Sequence, residues 1–261
     1  MNYYKYSGAG NDFVLLDNRD LTLTDYAQLA RRLCDRKDGI GADGLMVLEP
    51  PTCGGDVRMC FYNNDGSAAE MCGNGARCLC RHCYDFGISG EIQHIETPAG
   101  MVIGQRIAED RYRIRLNRPS EVSLQIKAQN VLCDYIVLGE NGIPHTVVEV
   151  DLSENRAILR DFARSLRYAP KFPKGANVNL CHIVSENEVN LLTYERGVED
   201  FTLACGTGTG ATVFALHQRG LLRGKNTKVN VDGGTLFVDI SDGEIYLTGP
   251  AERIATGETE A

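Results

Sequence analysis

The chain has 261 residues, 43% of them apolar and 24% charged, which is the make-up of an ordinary globular protein with enough length for two cores. Its 27 basic and 35 acidic side chains leave a net charge of −8 without a block of either sign, which argues against a nucleic-acid surface. The start, Met1-Asn2-Tyr3-Tyr4-Lys5, lacks a charged-then-apolar leader, and no apolar run reaches membrane-spanning length, so the expected compartment is the cytoplasm. In a reducing compartment ten cysteines are expected to be mostly thiols, with 34, 53, 60, 133 and 181 serving as small buried hydrophobes.

In chain order, residues 2–6 and 13–16 read as short strands around the loop 7–12. Leu29, Ala30, Leu33 and Cys34 recur at helical spacing after a possible cap at Thr24, which predicts a helix over 24–36. A glycine-rich loop over 38–44, a buried strand over 45–48, a hairpin loop over 50–55 and a strand over 57–62 follow. The turn Asn63-Asn64-Asp65-Gly66-Ser67 comes next. A helix over 74–86 then places Ala76, Leu79, Cys80 and Cys83 on one apolar face, and strands are expected over 92–96, 101–107 and 111–116.

The second half repeats this order. A strand over 190–195 leads to Cys205, a helix over 208–219, and strands over 227–231, 236–240 and 244–248. Cys72 precedes Gly100 by 28 residues, and Cys205 precedes Gly233 by 28. Matched followers behind matched cysteines point to a duplicated domain, with a boundary near Asn117-Arg118-Pro119-Ser120. The polar tail from Glu252 is expected to fray.

Both repeats centre on one motif. Met71-Cys72-Gly73-Asn74-Gly75-Ala76-Arg77-Cys78 and Ala204-Cys205-Gly206-Thr207-Gly208 each read as a cysteine, a glycine turn and a helix start. Free N–H groups in a helix's first turn, backed by the helix dipole, bind anions, and the same position favours a thiolate. Two such units suggest two thiols acting on one small anionic substrate. Removing a proton beside a carboxylate builds charge on the carboxylate oxygens, and inverting the carbon needs a base on one face and an acid on the other. Paired thiols and paired helix starts meet both needs without a metal. A zinc site at Cys78, Cys80, His82 and Cys83 is disfavoured, because on a helix 78 and 82 share one face while 80 and 83 share another. A thiol-based redox protein is the alternative from a different class.

The whole chain resembles the diaminopimelate epimerase family, cofactor-independent amino-acid isomerases. The motifs that carry the resemblance are Gly8-Ala9-Gly10-Asn11-Asp12-Phe13, Gly39-Ile40-Gly41-Ala42-Asp43-Gly44, 63–67, 72–78, Thr97-Pro98-Ala99-Gly100, Pro144-His145, 172–179, Tyr194-Glu195-Arg196-Gly197 and 204–208. The resemblance implies an α+β fold of two pseudo-symmetric domains, each a mostly antiparallel, barrel-like sheet around a central helix. The expected domains are 1–117, which regains 250–261, and 118–249. It implies that Cys72 and Cys205 are the acid/base thiols, that Gly73, Asn74, Gly206 and Thr207 hold the reacting carboxylate, and that Asn11 lines that end. Asn63, Asn177, Glu195 and Arg196 would meet a second amino-acid head group, with His145 beside Glu195 in support.

The implied reaction is epimerisation of LL- to meso-diaminopimelate, with no cofactor and no metal. A homodimer is expected from the commonness of two-fold assemblies, and charge and hydropathy give no expectation of nucleic-acid or membrane partners. The alternative is a related racemase of another amino acid such as histidine. Three positions depart from the family's pattern. Ile143 replaces an asparagine, Phe201 stands in place of an acid in the family's Gly-Glu-Thr, and Gly44 stands where some members carry glutamine.

Overall fold

The computed structural model describes residues 1–140 and 142–260. It divides into two compact units, Met1–Arg115 with Thr248–Ala261, and Leu116–Leu247.

The first unit contains β1 (Asn2–Gly8), β2 (Asn11–Asp17), α1 (Tyr26–Leu33), β3 (Gly44–Glu49), β4 (Val57–Asn63), β5 (Ala68–Ala69), α2 (Gly73–Asp85), β6 (Ile92–Thr97), β7 (Gly100–Arg106) and β8 (Arg111–Leu116). The second contains β9 (Pro119–Ala128), β10 (Val131–Leu138), β11 (Pro144–Glu149), α3 (Arg156–Arg167), β12 (Asn177–Ser185), β13 (Glu188–Glu195), β14 (Asp200–Thr202), α4 (Gly206–Gln218), β15 (Thr227–Val231), β16 (Gly234–Ser241) and β17 (Glu244–Pro250). The last strand, β18 (Glu252–Glu258), returns to the first unit.

The two units repeat one series of pairings. In the first, β18, β1 and β2 pair antiparallel, β2 and β3 parallel, β3 and β4 antiparallel, β4 and β6 parallel, and β6 and β7 antiparallel. In the second, β9, β10 and β11 pair antiparallel, β11 and β12 parallel, β12 and β13 antiparallel, β13 and β15 parallel, and β15 and β16 antiparallel. A short antiparallel strand, β5 or β14, leads into the central helix in each case. The sheet is therefore mixed, with two parallel joins per unit, and the α+β duplication expected from the sequence holds.

The central helices are buried because their sequences allow it. Val213, Phe214, Ala215 and Leu216 of α4 and Ala76, Cys78, Leu79, Cys80 and Cys83 of α2 are all in the core. Each large apolar side chain buried this way contributes about 1.5–3 kcal/mol. By contrast α1 and α3 bury one stripe only, Ala30 and Leu33 in α1 and Leu159, Ala163 and Leu166 in α3.

Several local expectations are corrected. The loop between the first strands shrinks to Ala9 and Gly10, both at positive φ, so the strands run on to Gly8 and from Asn11. The first helix begins after Asp25, whose carboxylate caps the N–H of Gln28, rather than after Thr24. The tail does not fray. Its side chains are exposed, but β18 pairs with β1 through the backbone, and Gly257 leaves room for the Tyr3 ring, which lies 2.8 Å from where a Cβ would stand. Ala261 at its end lies outside the described residues.

None of the ten cysteines, all among the described residues, is in a disulfide, and 34, 133 and 181 are buried as expected. Cys53 is exposed and Cys60 only half-buried. Cys53 sits in the loop before β4, where Glu96 accepts the N–H groups of Thr52, Cys53 and Gly55 and holds the loop at the surface. No helix among the described residues is long and apolar enough to cross a membrane.

Candidate active site

In the first unit, Cys72 is extended (φ −128°, ψ 115°) and caps α2, its Sγ accepting the N–H of Gly75 at 3.4 Å. Gly73, Asn74 and Gly75 form the first turn, so the N–H groups there lack partners within the helix ladder, as at any helix start. Glycine at 75 matters for packing, since a Cβ would lie 3.1 Å from Met46 Sδ. Asn74 Nδ2 donates to Asn11 Oδ1 (2.6 Å), and Asn11 Nδ2 donates to Asp43 Oδ2 (3.0 Å). Asn11, Gly73 and Asn74 therefore gather at Cys72. Asn63 stands apart from that bonded group, its amide donating to Ser67 Oγ (2.9 Å) within the turn.

In the second unit, Cys205 has nearly the same backbone (φ −112°, ψ 110°), and its Sγ accepts the N–H of Gly208 at 3.4 Å. Here the thiol is enclosed. Thr207 Oγ1 lies 3.5 Å from Sγ and Asn177 Nδ2 lies 3.9 Å away, and the thiol bonds to the Glu195 carboxyl. Glu195 also accepts from Thr202 Oγ1 at 2.5 Å. Burial raises the Glu195 carboxyl, opposed by the bonds from Thr202 and Cys205. Burial, then the Glu195 charge, pushes the Cys205 thiol far above the ordinary thiol range, although the bonds from Thr207 and Gly208 pull the other way. Glycine is required at 208, where a Cβ would lie 2.4 Å from Asn179 Oδ1.

His145 is bonded to Asn179, whose amide donates to Nδ1 at 3.3 Å, while Glu195 accepts from Thr202. Burial, then Arg196, lowers His145 to about 3, so the ring is neutral, and its Nε2 has no partner among the described residues. Asn177 and Asn179 are both buried on the same face of β12, because side chains two apart on a strand point the same way.

The Arg196 N–H donates to Asn177 Oδ1 (2.8 Å) and its guanidinium to the Lys174 carbonyl (2.9 Å). Arg196, Lys171, Lys174, Glu140, Gly142 and Pro144 line a cavity of about 1050 Å³ within this unit. Ile143 is 40% exposed between the last two. Phe201 packs edge-on against Tyr194 (6.0 Å) with the Arg156 guanidinium 5.2 Å from its ring, on the α3 side of the sheet. Gly44 has no room for glutamine, since a Cβ would lie 2.8 Å from the Tyr62 carbonyl oxygen and closer to the Phe61 ring.

Sequence reading assigned no role to Thr202 and Arg77. Both lie inside or beside motifs already singled out, and the signal available was their residue type beside the Gly-x-Gly turns. Among the described residues no cluster of His, Cys, Asp and Glu is disposed to hold a metal ion.

Known proteins share this sequence and this fold. The diaminopimelate epimerase family model matches residues 3–116 and 137–254. The diaminopimelate epimerase of Aquifex aeolicus (strain VF5) is 36% identical over 275 residues, covering 98% of this chain and 97% of that protein. That of Flavobacterium psychrophilum is 37% identical over 264 residues, covering 97% and 98%. Among solved structures, a probable proline racemase from Agrobacterium radiobacter K84 with bound carbonate superposes with a TM-score of 0.71 at 16% identity, over 99% of this chain and 92% of that one. A phenazine biosynthesis protein from Bacillus anthracis gives 0.71 at 14% identity, over 100% and 99%. At such identities the likeness to these structures is one of fold.

Proposed function

The chain belongs to the diaminopimelate epimerase family, and from that membership we propose that it interconverts LL- and meso-diaminopimelate with Cys72 and Cys205 as its acid and base. The observation that carries the reading is the repeated helix start. Each unit places a cysteine at the cap of its central helix, with the same backbone and the same 3.4 Å bond from the N–H three residues on.

In the reaction one thiolate takes the α-proton, so that a C–H bond breaks and an S–H bond forms. The electron pair spreads onto the substrate carboxylate. The other thiol delivers its proton to the opposite face of the carbon and is left as thiolate. The first-turn N–H groups of Gly73 and Asn74, and those of Gly206 and Thr207, act on the carboxylate where charge builds, with Asn11 assisting. Asn63, Asn177, Glu195 and Arg196 receive the second head group, with His145 in a supporting role. A carboxylate suits the Arg196 fork and an ammonium suits Glu195.

Glu195 has a second part in this reading. Its contact with the Cys205 thiol favours the protonated sulfur, so the resting enzyme is set for the direction in which Cys205 is the acid and Cys72 the base; in the other direction the two exchange roles. The reading extends to a cytoplasmic homodimer that takes part in lysine and peptidoglycan precursor synthesis without a cofactor. Ten cysteines outside any disulfide accord with a reducing compartment.

The test is proton NMR of LL-diaminopimelate in heavy water. Wild-type enzyme is expected to wash out the α-proton signal and produce the meso isomer. Cys72→Ala and Cys205→Ala are each expected to lose epimerisation by at least about 10³-fold, the scale of removing a central acid or base. Activity surviving either substitution would sink the two-thiol mechanism.

A second reading keeps the chemistry and changes the substrate to a one-headed amino acid such as histidine. The exposed apolar Ile143 beside the Arg196 cavity favours it. Faster exchange of histidine than of diaminopimelate in the same tubes would select it.

A further inference from the structure

Arg77 is the largest fully buried side chain of the protein, at 0% exposure in the middle of α2. Its Nε donates to the Pro250 carbonyl (3.4 Å), one terminal nitrogen to Asn74 Oδ1 (2.7 Å), and the other has no hydrogen-bond partner among the described residues. No carboxylate pairs with it among the described residues. Burial holds its pKa below the ordinary guanidinium value. A charge in this setting is expensive, and a methionine of similar size would pack at lower cost.

The fold itself does not ask for it. Five residues after the capping cysteine of α4 stands Gly210, where a Cβ would lie 2.4 Å from Leu116 Cδ1. That first turn is secured without any cation, by Thr209 Oγ1 on the Cys205 carbonyl (2.8 Å).

What Arg77 does follows from which groups donate and which accept. A guanidinium can only donate, so Asn74 must turn Oδ1 towards it. Asn74 Nδ2 is thereby aimed at Asn11 Oδ1 (2.6 Å), which sends Asn11 Nδ2 to Asp43 (3.0 Å). Asp43 can only accept, and it is itself fixed by Arg36 (2.8 Å). A donor-only group at one end and a carboxylate at the other thus set the orientation of both amides. Either asparagine flipped would break two bonds at once.

We propose that Arg77 is a positioning residue of the reaction, which through Asn74 and Asn11 holds the carboxylate-binding first turn of α2 in its working geometry. The inference rests on the function proposed above. Arg77 itself touches no substrate; its effect is carried by Asn74.

The experiment compares steady-state kinetics and melting temperature for wild type, Arg77→Met, Arg77→Lys, Asn74→Ala and the Arg77→Met/Asn74→Ala double variant. R77M is expected to raise KM about tenfold, with a smaller fall in kcat, the scale of losing one charge-assisted bond. N74A should do the same, and the double variant should be no worse than the worse single one, because both remove the same link. R77K keeps the cation but not the fork, and should raise KM about threefold; it carries the test if R77M does not fold. A lowered melting temperature with wild-type KM and kcat in R77M or R77K would overturn the proposal, as would effects that multiply in the double variant. The comparison uses whichever amino acid wild type exchanges. Wild type that exchanges histidine but not diaminopimelate removes the substrate reading and leaves the Arg77 comparison intact; wild type that exchanges none removes both.

Discussion

The starts of α2 and α4 share a backbone and differ in almost everything around it. Both cap with an extended cysteine whose sulfur takes the N–H three residues on at 3.4 Å. Yet Cys72 is half-buried at a turn tied to a buried cation, while Cys205 is 7% exposed and lies against the half-buried carboxyl of Glu195. The two turns share one form, and one side chain at each, Arg77 and Glu195, makes their surroundings unequal; in the function proposed above, that inequality decides which thiol is protonated in the resting enzyme.

The largest effect expected from disturbing this comparison is at the glycines that sit three residues beyond the two cysteines. Gly208→Ala drives a Cβ to within 2.4 Å of Asn179 Oδ1, and Asn179 holds both His145 and Thr193. We expect about 1–3 kcal/mol of lost stability and at least about 10²-fold lower kcat/KM, in the range that misplacing a catalytic group costs. Gly75→Ala meets the flexible Met46 thioether at 3.1 Å and should cost under about 1 kcal/mol. Equal losses in the two variants, measured by thermal unfolding and epimerisation rate, would show that the turns are more alike than their surroundings.

Glu195→Gln comes next. Removing the carboxylate takes away the charge that, after burial, most raises the Cys205 thiol, so Cys205 becomes the easier thiol to ionise. Alkylation of Cys205 by iodoacetamide at pH 8 should quicken several-fold, and epimerisation should fall about 10–100-fold as the acid is lost, the scale of general acid catalysis. Unchanged alkylation would mean that Glu195 does not set the state of Cys205.

The helix starts were legible in the sequence because their signals are local: a cap, a glycine turn, an apolar face. The duplication was legible because 28 residues separate cysteine from glycine in both halves. What could not be read depends on partners far along the chain. Glu195 turns to Cys205 only because β13 and β14 form a hairpin that places Thr202 against it. Asn179 faces inward beside Asn177 only because β12 lies parallel to β11 and under α4. The polar tail becomes a strand because β1 offers it a free edge, and an edge strand needs no apolar face of its own.

The buried histidines allow the units to be compared under acid. His82 in the first unit is lowered to about 4 by burial, and His145 in the second to about 3. A lowered histidine binds its proton more readily in the unfolded chain. Stability is therefore full above about pH 6.5, declines as pH falls, and is lost down to the folded value. The loss should span about pH 6.5 to 4 in the first unit and continue to about 3 in the second, worth on the order of 1.4 kcal/mol per pH unit in each. His82→Phe should flatten the first unit's dependence alone, read by amide hydrogen exchange resolved by unit. A flat profile in wild type would mean these rings are protonated without cost.

The smallest effect is expected at Phe201, where the family's acid is absent. Phe201 pairs with Tyr194 across the strands and packs with the α3 cluster, whereas its neighbour Thr202 sends its hydroxyl to Glu195. Adjacent residues on a strand face opposite ways, so the aromatic ring and the thiol are on different sides of the sheet. Phe201→Glu should lower the melting temperature by a few degrees through lost packing with Tyr194 and Arg156, and shift KM for diaminopimelate less than about twofold, within the small range of changes away from reacting groups. A gain in kcat/KM of tenfold or more would place position 201 among the residues that set the second thiol, and with it return the difference between the two helix starts to the loop before Cys205 rather than to Glu195.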